Sequence, residues 1–322
     1  MRKSLFLQLI FMFLAQIVFA YNKVLPEEEP LEFQEVWGYV IEGFEEELDI
    51  EKMHITDLCY FSASVNSYGE IDSVPDISKI KQFNVRNHLV VTCDGRALSH
   101  LAVNSKYGKT KDIIKVLAEA SKEYDGIQID MEYVPSRDCE NFILFLKQLR
   151  KKIGKNKMLT VCVPARLKTL SNDVYDYKKI SLFADRVFIM AYDQHWSTSS
   201  PGAVAEMEWS KQVALYGLEN IPAEKLIVGM PFYGRTWVFE NFGKAWFYSG
   251  ICRILEENNV SQVEREDYIP HFKFQTQVEV TGYFDDAVSL VQRMKMFQSI
   301  GVDKIGFWRI GQEDPDVWDF IK

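Results

Sequence analysis

Short apolar runs alternate with amphipathic stretches along most of this 322-residue chain. The runs fall at Val36–Ile41, Asp57–Val65, His88–Cys93, Gly126–Glu132, Met158–Pro164, Arg186–Tyr192, Leu226–Phe232 and Lys304–Ile310, and each has the length and composition of a buried strand. The stretches between them carry apolar residues at helical spacing. In Arg137–Ile153 these are Phe142, Leu146, Leu149 and Ile153, behind Ser136 as the expected N-cap, and Asp285–Ser299 stops just before Gly301, where a C′ glycine belongs. Eight strands with intervening helices predict an α/β fold, a (β/α)8 barrel. A doubly wound sheet would place a glycine-rich phosphate turn after its first strand, and Gly38-Tyr-Val-Ile-Glu-Gly43 is not one.

One gap breaks the even repeat. The segment from Gly234 to Asp303 is too long for one helix and its loops. It predicts a small inserted subdomain between strands seven and eight, over about 235–281, with a helix near Ile251–Asn258 and a strand pattern at Phe272–Val280. Trp237, Phe239, Phe242, Trp246, Phe247 and Tyr248 would give it an aromatic surface.

At the amino end, Arg2 and Lys3 precede an apolar run from Leu5 to Phe19 that is shorter than the ~20 residues of a spanning helix. Residues 1–20 therefore read as a signal peptide, with an uncleaved anchor as the alternative. Residues 21–32, with Pro26-Glu-Glu-Glu-Pro30, read as a solvated acidic linker, and the barrel occupies 33–322. The formal charge is −9, which argues against nucleic acid or an anionic membrane surface as partner. Five cysteines without a CxxC pair suggest neither a disulfide framework nor a zinc site, and Cys59, Cys93 and Cys162 read as buried small hydrophobes. No metal, cofactor or second subunit is expected.

Candidate chemistry centres on Tyr124-Asp-Gly-Ile-Gln-Ile-Asp-Met-Glu-Tyr133. Side chains two apart in a strand share a face, so Gln128, Asp130 and Glu132 point one way while Ile127, Ile129 and Met131 point the other. A solvated acidic face is the ordinary explanation of such alternation, but helical patterns on both sides make this strand interior, where carboxylates are expensive. In a barrel, chemistry sits at the carboxyl ends of the strands. Strand six ends in Met190-Ala-Tyr-Asp-Gln-His-Trp196, strand seven in Met230-Pro-Phe-Tyr-Gly-Arg235 and strand eight in Phe307-Trp-Arg-Ile-Gly311. Each pairs aromatic rings with polar groups, as a sugar site requires, although Phe232 and Phe307 read as core. His195 has no other His or Cys at ligand spacing and reads as a loop hydrogen-bonder.

These residues resemble the glycoside hydrolases of family 18, which include chitinases and endo-N-acetylglucosaminidases. Asp125-Gly-Ile-Gln-Ile-Asp-Met-Glu132 looks like the DGxDxDxE motif of that family, Met190-Ala-Tyr-Asp193 like its strand-six MxYD, and Trp308 like the tryptophan beneath the reacting sugar. Ser200-Pro-Gly202, Pro231-Phe-Tyr-Gly-Arg235 and Trp308-Arg-Ile-Gly-Gln-Glu-Asp-Pro315 resemble the branch of spore-cortex-lytic N-acetylglucosaminidases. The resemblance implies Glu132 as general acid and base, Asp130 as the group that orients the substrate acetamide, and Tyr192 as a donor to its carbonyl. It implies Gln128, Asp193, Trp308, Tyr39, Tyr233, Arg235 and Trp196 as substrate-binding residues. The expected activity is retaining, substrate-assisted hydrolysis of a β-linked N-acetylglucosamine glycan by a secreted or periplasmic monomer. A chitinase-like lectin is the alternative, and the retained Glu132 speaks against it. Gln128 departs from the aspartate found in most of the family. Without that aspartate, Asp130 is expected to ionise at lower pH, and the neighbouring Asp130 is expected to raise the pKa of Glu132.

Overall fold

The computed structural model describes residues 21, 23–239 and 242–322, so the expected signal peptide lies outside the described residues. In chain order the strands are β1 (Glu35–Ile41), β2 (Asp57–Val65), β3 (Ile71–Asp72), β4 (Arg86–Thr92), β5 (Gly126–Asp130), β6 (Met158–Pro164), β7 (Arg186–Met190) and β8 (Leu226–Pro231). There follow β9 (Tyr233–Trp237), β10 (Gly243–Phe247), β11 (Glu264–Glu266), β12 (Ile269–Gln275), β13 (Glu279–Tyr283) and β14 (Lys304–Trp308). Eight of them pair in parallel in the order β1-β14-β8-β7-β6-β5-β4-β2, and β2 closes on β1. The ring is the predicted (β/α)8 barrel, with β3 an antiparallel edge outside it.

Two apolar layers hold the barrel. The outer layer lies between strands and helices and contains Ile127, Ile129 and Met131 together with Phe142, Leu146 and Leu149 of the helix Cys139–Ile153. The inner layer fills the barrel with Trp37, Tyr39, Cys59, Val90, Cys162, Phe188 and Ile227. Gly229 and Gly306 make room for Phe188, since a Cβ at either would lie 2.4 or 2.3 Å from its ring. Below this layer, Asp57 accepts hydrogen bonds from Arg86 and pairs with His88 at 2.8 Å, while Glu35 takes Arg186 and the Trp37 indole. That buried ionic plug occupies the amino-terminal end and leaves the opposite mouth open for a site.

The insertion is a five-stranded antiparallel sheet in the order β10-β9-β13-β12-β11 with one helix, Tyr248–Glu257. Its aromatic residues divide. Trp237 and Tyr248 are buried, whereas Phe239, Phe242 and Phe247 are exposed. Helix ends also differ from expectation at one place: Ser136 opens a short 3-10 turn, and the helix begins at Cys139 with no side-chain cap. Ala287–Ser299 carries a capping box between Asp286 and Ser289, and Gly301 follows with φ +94°.

The acidic linker is not a free tether over its described residues. Tyr21 is buried and hydrogen-bonds Tyr248, Lys23 pairs with Asp314 and Asp316, and Leu31 bridges to Ile321. Glu28 reaches Gln292 and Lys295. Tyr21 ties the segment to the insertion, Lys23 ties it to Asp314 and Asp316 near the carboxyl end, and Glu28 ties it to the helix Ala287–Ser299.

Candidate active site

Strand β5 delivers its two faces as the alternation predicts. All five of its residues are buried, which excludes a solvated acidic face. Gln128 and Asp130 point into the barrel, where Gln128 Oε1 accepts a hydrogen bond from Tyr39 Oη at 2.6 Å and Tyr39 Oη lies 3.5 Å from Cys162 Sγ. Gln128 is wholly enclosed, so neither it nor Tyr39 meets solvent. Both were expected to bind substrate, and the structure places both in the barrel interior, bonded to each other.

Glu132 lies two residues beyond the strand and opens to the cleft. The turn that carries it is braced from both sides by one residue that sequence reasoning missed. Tyr175 Oη donates to the Met131 carbonyl at 2.6 Å and accepts from the Val134 amide at 3.2 Å.

The two carboxyl groups differ in environment. Burial is the main cause that pushes Asp130 up to about 7, and the charges of Glu132 and then Asp94 push the same way, against a smaller lowering by Cys162. Asp130 Oδ1 and Gln128 Nε2 both lack protein partners. With glutamine at 128 one charge fewer raises Asp130, yet burial still holds it well above the ordinary carboxyl range. Glu132 is also raised, first by desolvation and then by Asp193 and Asp94. Its carboxyl is reachable by solvent, yet enough protein surrounds it to weaken hydration of the charge. Asp193 rather than Asp130 is the first neighbouring charge that raises it.

Across the mouth, Asp193 adopts φ +56° and presents one carboxylate oxygen to two donors, Tyr233 Oη at 2.8 Å and Arg235 Nη2 at 2.7 Å. These three residues, with Trp246, Phe247 and Trp308, line a recess of about 200 Å³. Trp308 packs edge-on against Phe61 at 4.9 Å and Tyr39 at 5.3 Å, so its ring orientation is fixed from below. Phe61 is a second residue that local pattern did not reveal. Tyr192 is packed near Tyr233, with its phenol held well above its ordinary pKa by burial, so it stays a hydrogen-bond donor. Trp196 stands apart, half exposed on its loop and bonded to Thr198 Oγ1 at 2.8 Å, outside the lining of this recess. His195 bonds the Ser200 carbonyl at 3.0 Å, as expected of a loop residue. Phe232 and Phe307 stack on each other in the core.

The ring order places β14 and β5 four strands apart, on opposite walls of the mouth. Trp308 and Glu132 thus face a shared centre from opposite sides. A larger hollow of about 440 Å³ lies elsewhere, between His195, Glu206, Asp267 and Tyr283, but it contains none of the paired carboxyl and aromatic groups just described.

A closed barrel with a carboxylic acid and an aromatic platform at its carboxyl mouth defines a class of carbohydrate-active protein. The chain belongs to glycosyl hydrolase family 18, whose model matches residues 7–313. It is 29% identical over 225 residues to the putative sporulation-specific glycosylase YdhD of Bacillus subtilis, covering 66% of this chain and 53% of that protein. It is 26% identical over 292 residues to a cortical fragment-lytic enzyme of Bacillus anthracis, covering 83% of this chain and 67% of the relative. The chain thus spans about half of the first relative and two thirds of the second. The fold matches the crystal structure of the Bacillus cereus spore cortex-lytic enzyme SleL with a TM-score of 0.82 at 20% identity, over 92% of this chain and 76% of the other.

Proposed function

We propose that the protein is a retaining glycosidase that cleaves a β-linked N-acetylglucosamine glycan with the substrate's own acetamide as nucleophile. Glu132 protonates the leaving oxygen and later activates water, Asp130 orients the acetamide, and Tyr192 donates to its carbonyl. Trp308 carries the reacting sugar, and Asp193, Tyr233 and Arg235 hold its hydroxyls. The observation that carries this reading is the pairing of an accessible Glu132, its pKa raised by desolvation, with an enclosed Asp130 on the same face of the chain. An enzyme nucleophile would have to approach the anomeric carbon from the face opposite the acid, across about 5–5.5 Å. Asp130 lies beneath Glu132 on one wall and cannot do so.

Relatives named for sporulation and cortex-fragment lysis favour wall glycan over chitin as the substrate. Such a polymer lies outside the membrane, in keeping with a secreted or periplasmic protein. The test is a panel of muropeptide glycan, chitooligosaccharides and high-mannose glycopeptides, assayed with wild type and Glu132→Gln. The expected result is cleavage of the first by wild type and a loss of roughly 10²–10⁴-fold in the variant, with binding retained. Binding without cleavage by the wild type would make the protein a lectin instead.

A further inference from the structure

Glu132 also borders a second pocket, of about 430 Å³, formed by the loops that follow β4, β5 and β6. Its walls include two arginines, Arg96 and Arg166. Arg166 is held in place by Asp173, at 2.8 Å from Nε and 3.2 Å from Nη2, and by the Ala165 carbonyl. A guanidinium has five N–H groups, so one remains unused on each Nη among these contacts. Arg96 is exposed to the pocket and makes no hydrogen bond or ion pair among the described residues, although Asp94 is only two positions away. Arg96 is the first residue of the helix Arg96–Val103, where a positive charge meets the positive end of the helix dipole and is unfavourable.

Position in the barrel says what this charge faces. The recess with Trp308 belongs to the arc of loops after β7, β8 and β14, and the arginine pocket belongs to the opposite arc, with Glu132 at its inner edge. A sugar over Trp308 directs its scissile oxygen to Glu132, so the leaving sugar falls in the arginine pocket. We infer that this subsite selects a leaving sugar that bears a carboxylate, such as a 3-O-lactyl N-acetylhexosamine, with Arg96 as the specificity-determining residue and Arg166 as its anchored partner. Glu132 carries its proton when it acts as the acid, so it does not repel the substrate anion. The inference rests on the glycosidase reading above.

The experiment compares three glycans that differ only in the leaving sugar: a free lactyl acid, its neutral lactyl amide, and the amide extended by a peptide with free carboxylates. Charge-assisted hydrogen bonds predict that wild type prefers an acidic form over the neutral amide by roughly ten- to a hundredfold in kcat/KM. Preference for the free acid places the recognised charge on the sugar, and preference for the peptide form places it on the peptide. Arg96→Gln should abolish the preference, mainly through KM, and Arg96→Lys should restore part of it. Equal cleavage of all three by wild type, or an undiminished preference in Arg96→Gln, overturns the subsite while leaving the glycosidase reading intact. Cleavage of none of them removes both.

Discussion

Tyr39 donates to Gln128 Oε1 at 2.6 Å inside the barrel, and neither side chain reaches the cleft. The bond fixes the amide, so Gln128 Nε2 must point away from Tyr39 toward the rest of the inner layer. Gln128→Asp would put a second enclosed carboxylate beside Asp130, where like charges compete for protons. Its folded-state pKa would be raised, so the penalty grows as pH rises above the unfolded value of about 4. The variant should melt below wild type at pH 8 by the equivalent of about 1–3 kcal/mol, converge with it toward pH 4, and show a displaced or steeper acid limb of kcat/KM. Superimposable melting and activity profiles would show that the neutrality of Gln128 has no electrostatic role.

Asp130 itself carries a cost. Its folded-state pKa of about 7 exceeds the unfolded value of about 3.9, so between these limits the folded chain retains a proton that the unfolded chain has released. Its contribution to stability therefore falls as pH rises through that window and stays low above it. Asp130→Asn removes the ionisable group and should melt above wild type at pH 8, by an amount on the order of a few kcal/mol, with the two curves meeting near pH 4. Activity should fall at the same time. Melting of the variant below wild type at pH 8 would mean that the ionised carboxylate has a stabilising partner.

The barrel was legible because its signals are local: alternation within each strand, helical spacing between them, and a gap too long for one helix. The face shared by Gln128, Asp130 and Glu132 followed from strand geometry alone. The depth of each residue on that face did not, because it depends on which strands close around it. Gln128 therefore reads as substrate-binding in sequence but lies enclosed beside Tyr39, and Asp130 is raised by burial that no spacing encodes. Tyr175 and Phe61 act across loops or neighbouring strands, and no residue near them in sequence announces those contacts; Arg96 and Arg166 share a pocket only because the loops after β4 and β6 converge beside Glu132. The docked strap has the same origin: Pro26-Glu-Glu-Glu-Pro30 has the composition of a tether, while the partners of Glu28 and of Lys23 just before it lie far along the chain, at Gln292, Lys295 and Asp314.

Substrate assistance has its own signature. If the acetamide attacks, a thiazoline analogue of the cyclic intermediate should inhibit strongly, and glycan with a free amine on the reacting sugar should turn over at least a hundredfold more slowly, as for loss of a principal catalytic group. Comparable turnover of acetylated and deacetylated glycan would instead require an attacking carboxylate from the protein.

The last prediction uses the charges that face Glu132. A general acid works only while protonated, so kcat/KM falls as pH rises through the free-enzyme pKa of Glu132, which sets the alkaline limb. After burial, the nearest cause that raises this pKa is the negative charge of Asp193. Arg235, 2.7 Å from Asp193 Oδ1, offsets part of that field. Asp193→Asn removes the repulsion and should move the alkaline limb to lower pH. Arg235→Gln leaves Asp193 uncompensated and should move it to higher pH, and the double variant should return close to wild type. Both single variants lose a contact in the recess and should lower kcat/KM at the optimum, so the diagnostic is the position of the limb and not its height. Low ionic strength sharpens the measurement, because Asp193 is partly exposed and salt screens it. The charges that raise Asp130 are those of Glu132 and Asp94, so an alkaline limb unmoved by Asp193→Asn would belong to Asp130 and would deny Glu132 the role of titrating acid.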